Sequence, residues 1–315
     1  MTSTSVVPSA SATAGSSTGS GAAGTLTAVG GGGVAQGGAG GRATAGPGGA
    51  SGGLAGASAG SGGSAPGTGT GGAGSAGAAS AVDLFNGTDL TGFTVYRQNQ
   101  EKAPGTLLSG EQALAVFKPE NGAIHVYADA PDQSPQVHYT LVTTKSYSKY
   151  KLSWDYKWGT KKFAPYTDLA KYPRDAGVLW HLHGDVTQLW PPSMEFQNKD
   201  GSSGDIFALY ARCTSPGSAG NKTVFAEGGA SVLVDGSNGF VQHGRSANYE
   251  VTGDWTPCLL EVDDGMAVYT VNGHIVNRVL SVMDAKGQPV NSGPIAWQAE
   301  QAEVYYRNLR IEVLP

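Results

Sequence analysis

The chain has 315 residues, with 20 Lys and Arg against 25 Asp and Glu and a formal charge of −5. Both signs are scattered, and no Lys/Arg-rich stretch supplies the electrostatic footprint of a nucleic-acid-binding surface. No apolar run approaches the roughly 20 residues that cross a bilayer as a helix.

Residues 1–80 are almost entirely Gly, Ala, Ser and Thr, with Arg42 as their only charge. Such a segment has too little apolar surface to offset the entropy of ordering it, so a disordered, flexible linker is expected over 1–80. The remainder, 81–315, is a length that suits one large all-β domain as well as two small ones. The start MTSTSVVPSASATAG lacks the basic n-region and apolar h-region of a signal peptide. The linker nevertheless resembles the spacer behind the cleavage or lipid-attachment site of exported bacterial proteins. That likeness implies an extracytoplasmic location (periplasmic, cell-surface or secreted) and an upstream lipid anchor as an alternative.

From residue 83 onward, short alternating runs are separated by Gly, Pro, Asn and Asp, the spacing of an all-β sandwich. Asn86-Gly87 in LFNGTDLTGF is a turn signal. Strands are expected over 122–129, 138–144, 150–159, 176–184 and 192–197. Further runs are DIFALYA, ASVLVDG, PCLLEVDDG, GPIAWQAE and VYYRNLRIEVL, and Asn272-Gly273 divides 266–280 into a hairpin. No segment holds a 3.6-residue apolar period over three turns, so helix should be scarce. The long irregular pieces, 160–175 and 214–229, are of a length more often functional than idle. Cys213 and Cys258 allow one bridge or two separate buried thiols.

Parity decides which side chains share a face of a strand. Val178, Trp180 and Leu182 are opposed to Leu179, His181 and His183; Met194 and Phe196 to Glu195 and Gln197; Trp154, Tyr156 and Trp158 to Asp155 and Lys157; Trp297 to Gln298 and Glu300. An antiparallel sheet wets one face without any function. The His, Glu, Gln and Asp gathered here instead suggest a sugar-sized cleft walled by the two long loops.

With LFNGTDLTGF, YKLSWDYKW, RDAGVLWHLHG, SMEFQ and the closing YRNLRI together, the chain resembles the 3-keto-disaccharide hydrolase domain family over residues 82–314. The resemblance implies a concanavalin A-like jelly-roll β-sandwich. It also implies action on 3-keto-glycosides whose C3 hydroxyl a separate sugar oxidoreductase has oxidised. The ketone acidifies the C2 proton, its removal expels the C1 substituent by β-elimination, and water adds to the enone. This chemistry needs a base at C2, a donor or cation at the ketone oxygen and an acid at the glycosidic oxygen.

Carried over, Glu195 is the expected base, with His181 and His183 as acid, metal ligands or oxyanion partners. Lys157 and Arg174 are expected to stabilise the enolate, Asp155 to orient one of them, and Gln197, Gln298, Glu300 and Trp190 to hold substrate. Glu300 stands in for a histidine that many members carry after the glutamine. Trp180 has core parity, and packing is its expected job. No organic cofactor is implied. His181, His183 and Glu195 also form a donor set for a divalent metal, which would serve the ketone oxygen.

A carbohydrate-binding, lectin-like module and an ordinary glycoside hydrolase with Glu195 and Glu300 as its facing carboxylates are the competing functions. His125, His138, His243 and His274 are expected as surface or satisfied polar residues. Asp263-Asp264-Gly265 has turn chemistry.

Overall fold

Alternation with a period of two runs through the sequence, and strands result almost everywhere. The computed structural model describes residues 81–99 and 103–315; the linker expected over 1–80 lies outside them. The first elements are β1 (Val82–Asp83), β2 (Phe93–Arg97), β3 (Thr106–Leu108) and α1 (Glu111–Leu114), the one α-helix among the described residues. Next come β4 (Phe117–Glu120), β5 (Ala123–Val126), β6 (Tyr139–Thr143) and the long β7 (Lys149–Lys162). β8 (Asp175–Trp180), β9 (Ser193–Lys199), β10 (Ile206–Leu209) and β11 (Ala211–Gly217) follow. Then come β12 (Ala230–Asp235), β13 (Phe240–His243), β14 (Thr256–Asp263) and β15 (Met266–Val271). The chain closes with β16 (His274–Val279), β17 (Ser281–Asp284), β18 (Ala296–Ala299) and β19 (Ala302–Val313).

Two antiparallel sheets of eight strands form the layers. One runs β16-β15-β14-β7-β19-β5-β4 with β1 also on β19, and the other runs β13-β10-β9-β8-β18-β6-β2-β3. A third, small sheet is ordered β12-β11-β17. The core lies between the two large layers, as a β-sandwich requires. Trp154 of β7 meets Phe196 of β9 edge-on at 4.9 Å, and Phe196 stacks on Tyr269 of β15 at 4.5 Å. Trp180 Nε1 donates to Tyr269 Oη at 2.7 Å, and that hydroxyl donates to the Glu195 carbonyl at 3.1 Å. Trp154, Trp180, Phe196 and Tyr269 are fully buried, and each ring so placed contributes roughly 1.5–3 kcal/mol of transfer free energy.

The expected turns form by their own chemistry. Asn86 Oδ1 accepts from the Thr88 and Asp89 amides, and Asn272-Gly273, with φ of 47° and 78°, joins β15 to β16. Asp264-Gly265 closes the β14–β15 hairpin across Asp263 and Met266. The run DIFALYA splits into β10 and β11 at Tyr210, where φ is 45°. The second expected loop is shorter than its sequence suggested, because Thr214 to Gly217 continue β11 in pairing with β12. Cys213 and Cys258 are both buried and unbridged.

Candidate active site

β8 and β9 pair antiparallel with Asp175 opposite Lys199, Gly177 opposite Gln197, and Leu179 opposite Glu195. Directly opposed residues point to the same face. All six therefore stand on the side of their sheet turned away from the core, since Ala176, Val178, Trp180, Met194 and Phe196 fill the inner side. β10 adds Phe207 beside Glu195 and β13 adds Gln242 beside Phe207, with Leu209 and Phe240 one step along. On the other flank β18 sets Ala296 opposite Leu179, and the same parity gives Gln298 and Glu300.

These rows enclose a hollow of about 340 Å³, within the size range of small-ligand sites. Its polar lining is Asp175, Glu195, Gln197, Lys199, Gln242 and Glu300; its apolar lining is Trp190, Phe207, Leu209 and Phe240. Gly177 makes the floor possible: a Cβ there would collide with Oε1 of Glu195 and Oε1 of Gln298. Its missing side chain lets a carboxyl from β9 and an amide from β18 meet over β8. A comparable hollow of about 390 Å³ on the opposite sheet is walled by Lys151, Glu261, Met266 and Arg278. Its charges sit in open ion pairs such as Lys151 with Glu261, so it lacks a desolvated reactive group.

Three carboxyls and one ammonium crowd the main hollow. Glu195 is 4% exposed and Glu300 8%. Burial raises the Glu195 carboxyl well above the usual range, Glu300 and Asp175 push it further, and Lys199 pulls weakly back. Burial, then Asp175, lift Glu300 to about 8 against the pull of Lys199 and Trp190. Asp175 is also raised by burial, with Lys199 as the main counterweight. Lys199 Nζ lies 2.6 Å from Asp175 Oδ2; burial works against its charge, but Asp175 outweighs it and the ammonium pKa rises. Glu300, at about 8, thus stays mostly protonated at neutral pH, Glu195 is shifted in the same direction, and Lys199 is paired with Asp175. Oε1 of Gln197 and Oε1 of Gln298 are buried without a partner. Buried acceptors of this kind call for a donor from a ligand or water.

The site sequence reasoning assembled around histidines does not form. Parity places His181 and His183 with Leu179, but β8 ends at Trp180 and His181 takes a φ of 52°. That left-handed residue ends the alternation and sends the ring the other way. His181 is fully buried and its Nε2 contacts the Asp264 carbonyl at 2.5 Å, in the β14–β15 turn of the opposite sheet. Burial holds it at about 4, so it is neutral and donates to that carbonyl. His183 Nδ1 contacts the His181 carbonyl at 2.9 Å. Neither ring lines the hollow with Glu195.

The donor set His181, His183 and Glu195 therefore does not converge. Among the described residues no group of three or more His, Cys, Asp or Glu is arranged to hold a metal ion.

Lys157 and Asp155 also lie elsewhere. On β7 they occupy the outer face of the opposite sheet, where Lys157 Nζ sits 5.0 Å above the Trp255 ring. Asp155 Oδ2 accepts from Arg307 Nε at 3.0 Å and Asn308 Nδ2 at 2.8 Å. Arg174 precedes β8, its carbonyl accepts from the Asp200 amide, and its side chain is not in the lining. Neither long loop walls the hollow; Trp190, from the shorter 181–192 connection, does so with β13.

Glu195, Gln197, Gln298, Glu300 and Trp190 are the sequence candidates brought together. Lys199, Asp175 and His138 are the members that reasoning missed. His138 Nε2 stands 3.7 Å from Glu300 Oε1, its ring 6.1 Å from that of Trp190, and burial lowers its pKa. Continuing the E-x-Q parity two residues to Lys199, and the Leu179 parity back to Asp175, would have found the ion pair.

No curated protein matches the chain. Among solved structures, a candidate glycosyl hydrolase from Parabacteroides distasonis is 19% identical, with 75% of this chain and 94% of that chain covered and a TM-score of 0.45. A carbohydrate-binding module from Bacillus subtilis is 10% identical, covering 70% of this chain and 96% of that one at a TM-score of 0.35. The model of the 3-keto-alpha-glucoside-1,2-lyase-like domain matches residues 80–312. The chain belongs to that family of carbohydrate-active domains.

Proposed function

We propose that the hollow cleaves glycosides already oxidised to a ketone at C3. The observation that carries this reading is the pair of buried carboxyls, Glu195 and Glu300, lining one hollow beside a lysine fixed by Asp175. Glu300, at about 8, is the group closest to exchanging its proton near neutrality, and the fraction that has released its proton acts as the base toward the C2 proton. The electron pair left at C2 moves into an enolate, whose oxygen the Lys199 ammonium stabilises. As the carbonyl re-forms, the C1–O bond breaks and the leaving oxygen takes the proton held on Glu195. Water then adds at C1 of the enone, so elimination and hydration together amount to hydrolysis. Gln197 and Gln298 accept hydrogen bonds from ring hydroxyls. The oxidised substrate comes from a separate sugar C3-oxidoreductase, and the setting is extracytoplasmic.

A second reading, ordinary glycoside hydrolysis, is favoured by the same two carboxyls, since an acid and a partner carboxylate facing one bond are its requirement. The purified protein incubated with native and 3-keto glucosides separates the two. Release of the leaving group from the oxidised sugar alone supports the elimination. Equal or faster release from the native sugar supports the second reading, and binding without release supports a lectin.

A further inference from the structure

The hollow has two chemically different sides. Glu195, Glu300 and the unpartnered acceptors Oε1 of Gln197 and Gln298 occupy the β8, β9 and β18 side. Phe207, Leu209 and Phe240 form the β10 and β13 side, with Trp190 closing it. Gln242 is the polar side chain there, and its Nε2 is engaged by Asp205 Oδ2 at 2.5 Å; Asp205 in turn is held by Arg245. Phe240 keeps 52% of its surface exposed even though Trp190 and Phe207 both touch its ring.

A hydroxylated ring placed against Phe207 and Phe240 would leave water behind and find the Gln242 Oε1 as its one side-chain acceptor on that side, fewer partners than its hydroxyls give up. Flat stacking of a sugar is also poorly served. Trp190 meets Phe240 at 69° and Phe207 meets it at 46°, so the rings make a corner instead of a shelf. The acceptor-rich side suits the oxidised sugar, and the aromatic corner suits what leaves it. Resting on the elimination reading above, we propose that the aromatic corner is the leaving-group subsite and that it takes an apolar aglycone, aromatic or alkyl, in preference to a second sugar.

The test compares the 3-keto-glucoside of benzyl alcohol with a 3-keto-disaccharide. Benzyl alcohol is no stronger an acid than a sugar hydroxyl, so a preference for it reports binding and not leaving-group ability. Expected is a kcat/KM higher for the benzyl compound by roughly tenfold or more, the scale on which apolar pockets discriminate. Phe240→Ser should abolish most of that preference through KM, whereas Phe240→Leu, which keeps apolar bulk, should retain it; melting temperatures of both variants establish that they fold. Equal or better turnover of the disaccharide, or a preference untouched by Phe240→Ser, overturns the aglycone subsite while leaving the elimination reading standing. Failure to cleave either compound overturns both.

Discussion

Glu300→Gln isolates the energetic burden of the buried carboxyl cluster. Burial and Asp175 lift Glu300 from an ordinary 4.5 to about 8, which at about 1.4 kcal/mol per pH unit corresponds to roughly 5 kcal/mol. The direction follows from proton binding. Below about 4.5 the carboxyl is protonated in folded and unfolded chains alike, and it does not oppose folding. As pH climbs from there to about 8, the unfolded chain releases the proton while the folded chain keeps it, so stability is progressively lost. Glutamine cannot ionise and escapes this loss. The gap between variant and wild type should therefore widen with pH, by roughly 2–5 kcal/mol between pH 4.5 and 9 once water entering the hollow is allowed for. Denaturant titrations at pH 4.5, 7 and 9 measure it. Parallel stability profiles for the two proteins would refute the assignment of Glu300 as a carboxyl kept neutral by its surroundings.

Glu195→Gln should leave the melting temperature near wild type and lower kcat on a 3-keto-glucoside by roughly 100-fold or more, checked by leaving-group release. Gly177→Ala should displace the Glu195 carboxyl and the Gln298 amide. A loss of turnover together with roughly 1–3 kcal/mol of stability is expected from the overpacking, read by kinetics and denaturation. Lys199→Met removes a positive charge that lowers the Glu300 pKa. The ascending limb of the pH–rate profile, near 8 in wild type, should move to higher pH. His181→Ala should lower stability by roughly 1–3 kcal/mol through the orphaned Asp264 carbonyl, whereas His183→Ala should keep wild-type turnover; a collapse of activity in His183→Ala would restore the histidine to the chemistry.

Parity made much of the site legible. Met194 and Phe196 are inward and Glu195 and Gln197 outward, as alternation alone requires, because β9 is regular from Ser193 to Lys199. The hairpin at Asn272-Gly273 and the core placement of Trp180 were legible for similar reasons, a turn residue pair and a large apolar ring on the inner row. The histidines were misplaced because parity was carried past the end of β8. One left-handed residue, His181, separates Trp180 from everything after it; histidine is among the residues enriched in that region, yet so few adopt it that its presence alone does not announce the change. Lys199 was missed for the converse reason, as the strand continued where its sequence turned polar. Lys157 and Asp155 obey parity faithfully, but alternation cannot tell which of two stacked sheets owns the outward face. That depends on β7 pairing with β14 and β19 over long sequence separations.

β1 has a consequence for how the protein can be presented. Val82 and Asp83 pair with Ile311 and Arg310 of β19, which stitches the start of the described chain onto the layer that does not carry the hollow. A group coupled directly at Val82 is thereby held against the layer of β19 and not against the strands that line the hollow.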